Sequence, residues 1–195
     1  GRPRPPDRWF DDATRAELGF ELEVAVARKA MRSLALLPSN TYLAVNVSPE
    51  TAASAEIMRL CAGHAAERIV LEITEHSSVD DYLVLAERAR LLRAMGVHLA
   101  IDDAGAGFSS LRHVLRLEPD LIKLDKSITR NIDKRVRHQS LAAALLTFAH
   151  GTSASIVAEG IETAAELATL KELGVPFGQG YYLGRPEPLI PRAAR

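Results

Sequence analysis

Six short apolar runs, at 42–47, 69–73, 97–101, 121–124, 155–158 and 178–183, alternate with longer segments whose apolar residues recur at helical spacing. That alternation confines the chain to parallel strands joined by crossover helices, an α/β fold. In the segment before the third run, Leu85, Ala89 and Leu92 share a helical face and Gly96 stops it. After the fifth run, Thr163 and Glu166 form a capping box, and Leu167, Leu170 and Leu173 face one way before Gly174. Leu22, Val26 and Ala30 mark an amphipathic helix near the start. Residues 1–7, with three prolines, read as irregular chain.

Strands of a parallel sheet are covered on both faces, so a polar residue inside one needs a reason. Asn46 sits near the end of the first run, Glu72 near the end of the second, and Asp102 and Asp103 directly follow the third. Lys123 lies in the fourth, and Glu159 follows the fifth. All cluster at the carboxyl end of their strand, where a barrel assembles its active site from several strands at once. Period-2 counting puts Ala44 with Asn46, Val70 with Glu72, and Leu121 with Lys123 on the inward face. Asp102 and Asp103 are neighbours, so both serve one site only if the strand bends, and Gly105 and Gly107 offer backbone freedom for a bend.

Asn46, Glu72, Asp102, Asp103 and Glu159 are hard oxygen ligands with no Cys or His cluster beside them, a set that selects Mg²⁺ or Mn²⁺ over zinc. Crowded carboxylates repel one another unless cations are present, and two divalent ions are the natural remedy. Such a centre suits in-line attack of water on a phosphodiester, with Lys123 orienting the water and Glu159 accepting its proton. A competing chemistry is a Schiff-base lysine at Lys123, disfavoured because carboxylate neighbours keep the amine charged.

Bulk properties limit the alternatives. The chain has 195 residues, 47% hydrophobic and 25% charged, which suits one globular domain spanning 1–195 but is short for an eight-stranded barrel of about 250 residues. A formal net charge of −1, with signs interspersed, excludes the footprint of a duplex nucleic-acid binder. Cys61 alone allows no internal disulfide and reads as a buried helical side chain. The longest apolar stretch, 141–149, is too short to cross a bilayer, so no membrane role and a cytoplasmic location are expected.

The motifs Asn46-Val47-Ser48, Leu71-Glu72-Ile73-Thr74-Glu75, the run from Asp102 to Leu111, Ile122-Lys123-Leu124-Asp125, Val157-Ala158-Glu159-Gly160-Ile161-Glu162-Thr163 and Gln179-Gly180-Tyr181-Tyr182-Leu183 occur in the order of the EAL family, which the chain resembles. The resemblance implies a TIM-like (β/α) barrel and hydrolysis of cyclic di-GMP to linear pGpG with two Mg²⁺ or Mn²⁺ ions, Ca²⁺ inhibiting. It implies metal ligation by Asn46, Glu72, Asp102, Asp103 and Glu159, with Glu159 also the general base and Lys123 the water-orienting lysine. Gln179 corresponds to a further active-site contact, Glu75 to a support for the loop after Asp103, and Glu162 to a support for the site.

Ala104, Ala106 and Phe108 depart from the family's usual Phe, Thr and Tyr in that loop, a segment the family uses for homodimer coupling. The namesake Glu-Ala-Leu segment is not in the sequence, so the barrel is expected to lack its first two strands here, with upstream sensory or GGDEF-type domains in the parent protein. Two functional readings stand: a phosphodiesterase, impaired or not in this chain, and a non-catalytic cyclic di-GMP receptor or interaction module.

Overall fold

The computed structural model describes residues 5–74, 81–104 and 108–189, without the side chains of Asp7 and of residues 108–111. The helices are α1 Pro6–Arg15, α2 Gly19–Arg32, α3 Pro49–Ala52, α4 Ala55–Ala62, α5 Tyr82–Ala94, α6 Phe108–Leu117, α7 Lys126–Thr129, α8 Val136–Gly151 and α9 Ala164–Glu172. The strands are β1 Leu43–Val47, β2 Ile69–Ile73, β3 His98–Ala104, β4 Leu121–Leu124, β5 Ser155–Ala158 and β6 Phe177–Gly178. Strand order in the sheet follows chain order, β1 to β6, and β3 to β6 pair in parallel. The described residues fall into two compact units: those up to Leu71 with those from Asp81 to Val97, and those from Glu72 to Thr74 with those from His98 onward.

In the first unit, Val45 and Val47 are buried while Ala44 and Asn46 are exposed, the expected two-residue alternation. Cys61 is fully buried on α4, and burial pushes its thiol up to about 11, so it packs as a small apolar group. The buried stripe of α2 is Val24, Ala27 and Met31, not the expected Leu22, Val26 and Ala30; Val26 is exposed. Glu23 beside that stripe accepts from the Ser48 amide at 2.9 Å and the Ser48 hydroxyl at 2.8 Å. Ser48 in turn caps α3. The prolines near the start do not prevent helix: α1 begins at Pro6, because a proline in the first turn has no amide to lose and carries a helical φ already.

In the second unit, Leu99, Ile101, Ile122, Leu124 and Ile156 are buried to 1% exposure or less and form the sheet's apolar spine. At about 25 cal/mol per Å² of apolar surface removed from water, burying such side chains stabilises by roughly 1.5–3 kcal/mol each. The capping box of α9 forms as expected, Thr163 accepting from the Glu166 amide while Glu166 accepts from the Thr163 amide. The last strand is shorter than expected. Only Phe177–Gly178 pairs, because the chain folds at Gly180 into a turn closed by the Leu183 amide on the Gly180 carbonyl. The same turn is tied to the preceding loop: Tyr182 donates to Ile161 O, and Ile161 donates to Gln179 O.

Candidate functional site

Strand β3 makes the site possible by an irregularity that sequence periodicity does not contain. Its register against β4 advances from Ile101↔Ile122 to Ala104↔Leu124, three residues against two, so one extra residue is accommodated as a β-bulge. Asp103 takes a left-handed conformation there, with φ 54°. A bend therefore lies in Asp103 itself; Gly105 and Gly107 lie outside the described residues. Ordinarily adjacent strand residues point to opposite faces; the bulge lets Asp102, Asp103 and Glu159 each place a carboxylate oxygen within 4.8 Å of the others.

Lys123 stands at the centre. Its Nζ lies 2.8 Å from Glu72 Oε2, 2.9 Å from Asp102 Oδ1 and 2.8 Å from Glu159 Oε1. The lysine side chain is 6% exposed and its three partners 14–15%, so these are desolvated contacts rather than surface pairs. Burial alone would lower the Lys123 pKa, but Glu72, Glu159 and Asp102 outweigh it and hold the ammonium protonated well above the ordinary lysine value. These neighbours disfavour a Schiff-base role, which needs a neutral amine.

Glu159 follows β5, and its amide is held by the Leu124 carbonyl. Burial pushes its carboxyl above the usual range; Lys123 opposes this, while Asp102 and Glu72 add to it. The same Oε1 accepts from Gln179 Nε2 at 2.6 Å, which fixes the carboxylate's orientation. Gln179 is positioned by its own amide on the Ala158 carbonyl. Glu162 is exposed and lines the cavities beside the cluster. Asn46 is on β1 in the first unit. Glu75 lies outside the described residues.

Two residues gain importance only from the structure. Asp125, 8% exposed, caps α7 by accepting from the Ser127 amide at 2.9 Å, and Asp103 lies close enough to influence its ionisation. Burial raises its pKa, but Ser127, Asp103 and the Lys126 amide together bring it below the usual carboxylate range. Its place two residues after Lys123 was the available signal. Glu166, 3% exposed, accepts from the Asn131 amide at 2.8 Å with one oxygen and from the Glu162 and Thr163 amides at 2.9 and 3.0 Å with the other. It thus ties the loop after Glu159 to the loop after α7. The capping box was legible, whereas the bond to Asn131 joins residues 35 apart.

Next to Glu159, a cavity of about 700 Å³ is lined by Lys126, Gly160, Glu162, Gln179, Gly180, Tyr181, Gly184, Arg185 and Pro186. The Arg185 guanidinium lies 4.7 Å from the centre of the Tyr181 ring. A flat aromatic face with a cation on it suits a planar, electron-rich ligand group. The donor set of Asp102, Asp103 and Glu159 fits a divalent cation, because hard carboxylate oxygens converge with neither thiolate nor imidazole among them.

Parallel strands crossed by helices, with acidic side chains gathered at their carboxyl ends, define a (β/α)-barrel-type protein carrying an oxygen-ligand site. The chain belongs to the EAL domain family, whose pattern it matches over residues 2–186. It is 34% identical over 197 residues to the cyclic di-GMP phosphodiesterase NbdA of Pseudomonas aeruginosa, covering 94% of this chain and 25% of that protein. Among solved structures, it matches PaMucR phosphodiesterase in complex with c-di-GMP with a TM-score of 0.83 and 28% identity, over 94% of this chain and 84% of that one. Klebsiella pneumoniae BlrP1, in a manganese and cyclic di-GMP complex, matches with a TM-score of 0.75 and 28% identity, over 85% of this chain and 44% of that one. The chain spans well under half the length of the curated relatives it matches. These likenesses bear out the expected α/β, TIM-like fold.

Proposed function

We propose that this chain carries the catalytic site of a cyclic di-GMP phosphodiesterase that opens the cyclic dinucleotide to linear pGpG. The observation that carries the reading is the convergence of Glu72, Asp102 and Glu159 on Lys123 Nζ at 2.8–2.9 Å, with Asp103 brought to the same cluster by the β3 bulge. The relatives' substrates and the aromatic cation-bearing cavity beside Glu159 support it.

Glu72, Asp102, Asp103 and Glu159 would hold two Mg²⁺ or Mn²⁺ ions, and the motif resemblance adds Asn46. Bound there, the ions would supply Lewis acidity to the phosphoryl group and acidify the attacking water. Glu159, with its carboxyl pushed up by burial, accepts the water proton as the new O–P bond forms and the P–O3′ bond breaks. The 3′-oxygen then takes up a proton to leave the linear product. Gln179 keeps the Glu159 carboxylate aimed, and the Lys123 ammonium sets positive charge beside the developing negative charge. Glu75 and Glu162 complete the proposed set as supports. A homodimer, upstream sensory or GGDEF-type domains in a longer parent, and a cytoplasmic setting belong to the same proposal. Among the described residues, no helix is long and apolar enough to cross a membrane.

The test is chromatographic detection of pGpG after incubation with cyclic di-GMP and Mg²⁺. Glu159→Gln and Asp102→Asn are expected to lose at least about a hundredfold in kcat. Wild-type rates in both variants would sink the mechanism, and tight binding without turnover by the unaltered protein would make it a receptor.

A further inference from the structure

A second cavity, of about 420 Å³, opens beside the first and shares Lys126, Gly160 and Glu162 with it. Its remaining wall is Ser127, Arg130, Asn131 and Arg135. Three cations, Lys126, Arg130 and Arg135, thus face one carboxylate, Glu162, in a chain whose formal net charge is −1. None of the three cationic side chains has a salt-bridge partner among the described residues. Unneutralised cations in a cleft attract an anion more strongly than the same charges spread on a convex surface, because the flanking walls exclude water.

The cleft is held open by its own backbone. Arg130 ends α7, whose first turn is fixed by the Asp125 cap, and Asn131 is in a left-handed conformation at φ 56°. Glu166 accepts from the Asn131 amide on one side of the cleft and from the Glu162 amide on the other, so a single carboxylate sets the separation of the two walls. Gly160 lies between the cavities at φ 66°, directly after Glu159. An added Cβ there would lie 2.6 Å from Lys126 Cβ. Glycine at this left-handed position thus avoids a clash with the Lys126 side chain in the wall that both cavities share.

We infer that this cleft is an anion subsite, in which Arg130 and Arg135 receive the phosphate of a cyclic dinucleotide that is not being cleaved. The inference rests on the phosphodiesterase reading for the ligand's identity, but not for the subsite's charge chemistry. The subsite selects a ring with two phosphodiesters over one with a single phosphodiester, since a cyclic mononucleotide at the carboxylates leaves the arginines unengaged. Arginine suits the task because its planar fork binds phosphate oxygens in pairs.

Two measurements on the full chain test it. With Arg130→Gln/Arg135→Gln, KM for cyclic di-GMP is expected to rise about tenfold with kcat altered by less than about threefold, while Arg130→Lys/Arg135→Lys recovers part of the loss. An unchanged KM, or a fall confined to kcat, overturns the subsite. Independently of turnover, titration calorimetry with inorganic pyrophosphate in EDTA is expected to show binding that weakens at least about fivefold in the glutamine variant and fades with added salt. Equal pyrophosphate binding by the two proteins, or none by the wild type, overturns the inference even if cyclic di-GMP is hydrolysed. Loss confined to the variant upholds the anion site even if it is not.

Discussion

Lys123 holds the site's charge in balance: one ammonium faces Glu72, Asp102 and Glu159 at hydrogen-bond distance, with Asp103 adding a fourth carboxylate to the cluster. Removing one partner of a buried ionic group leaves uncompensated charge and typically costs about 3–5 kcal/mol. Lys123→Met is therefore expected to lower stability at neutral pH by roughly 3 kcal/mol in EDTA, and Mn²⁺ or Mg²⁺ should recover much of it by replacing the missing positive charge. Thermal melts with and without metal check this; a variant as stable as wild type in EDTA would show that the lysine does not neutralise the cluster. Lys123, Glu72, Asp102 and Glu159 were all legible in the sequence as polar residues at the ends of apolar strands. Asp125 was not singled out, because a residue just past a strand looks like any helix cap until its burial and its nearness to Asp103 are seen.

Among the elements, the strand ends and the loops leaving them carry the site, and two of them behave in ways periodicity cannot convey. Alternation assigns Asp102 and Asp103 to opposite faces; the bulge and the left-handed Asp103 overrule it. Likewise the run at 178–183 has strand composition, yet Gly180 approaches the Ile161 backbone so closely that a Cβ would collide with it, and the chain turns. The loop after β5 depends on Gly160 in the same way. Gly160→Ala combines a left-handed backbone with a Cβ against Lys126 and is expected to destabilise by about 1–3 kcal/mol. Because Glu159 is the preceding residue, kcat should fall as well. Urea unfolding together with initial rates gives both numbers, and a variant with wild-type values in each would show that the loop does not need glycine.

For the molecule as a whole, the acid limb of stability reports the Glu166 brace. Burial raises the Glu166 pKa, but the Asn131, Glu162 and Thr163 amides and the Thr163 hydroxyl outweigh it and hold the carboxyl below its usual range. A depressed folded-state pKa contributes stability that is complete above the unfolded value of about 4.3 and is lost as pH falls through the folded value. Glu166→Gln is thus expected to cost about 2 kcal/mol at pH 7, with its melting temperature converging on that of wild type in acid. A gap independent of pH would remove the carboxylate from this role. By itself the sequence determined the α/β class, the family and the identity of the clustered carboxylates, because apolar period, capping chemistry and polar strand ends are properties of residues close together in the chain. Tertiary structure alone decided that Asp103 joins Asp102, that Glu166 spans to Asn131 and that Arg130 and Arg135 border the same cleft as Glu162. Each of these rests on a local backbone departure or on a contact between distant residues, and neither leaves a periodic trace in the order of amino acids.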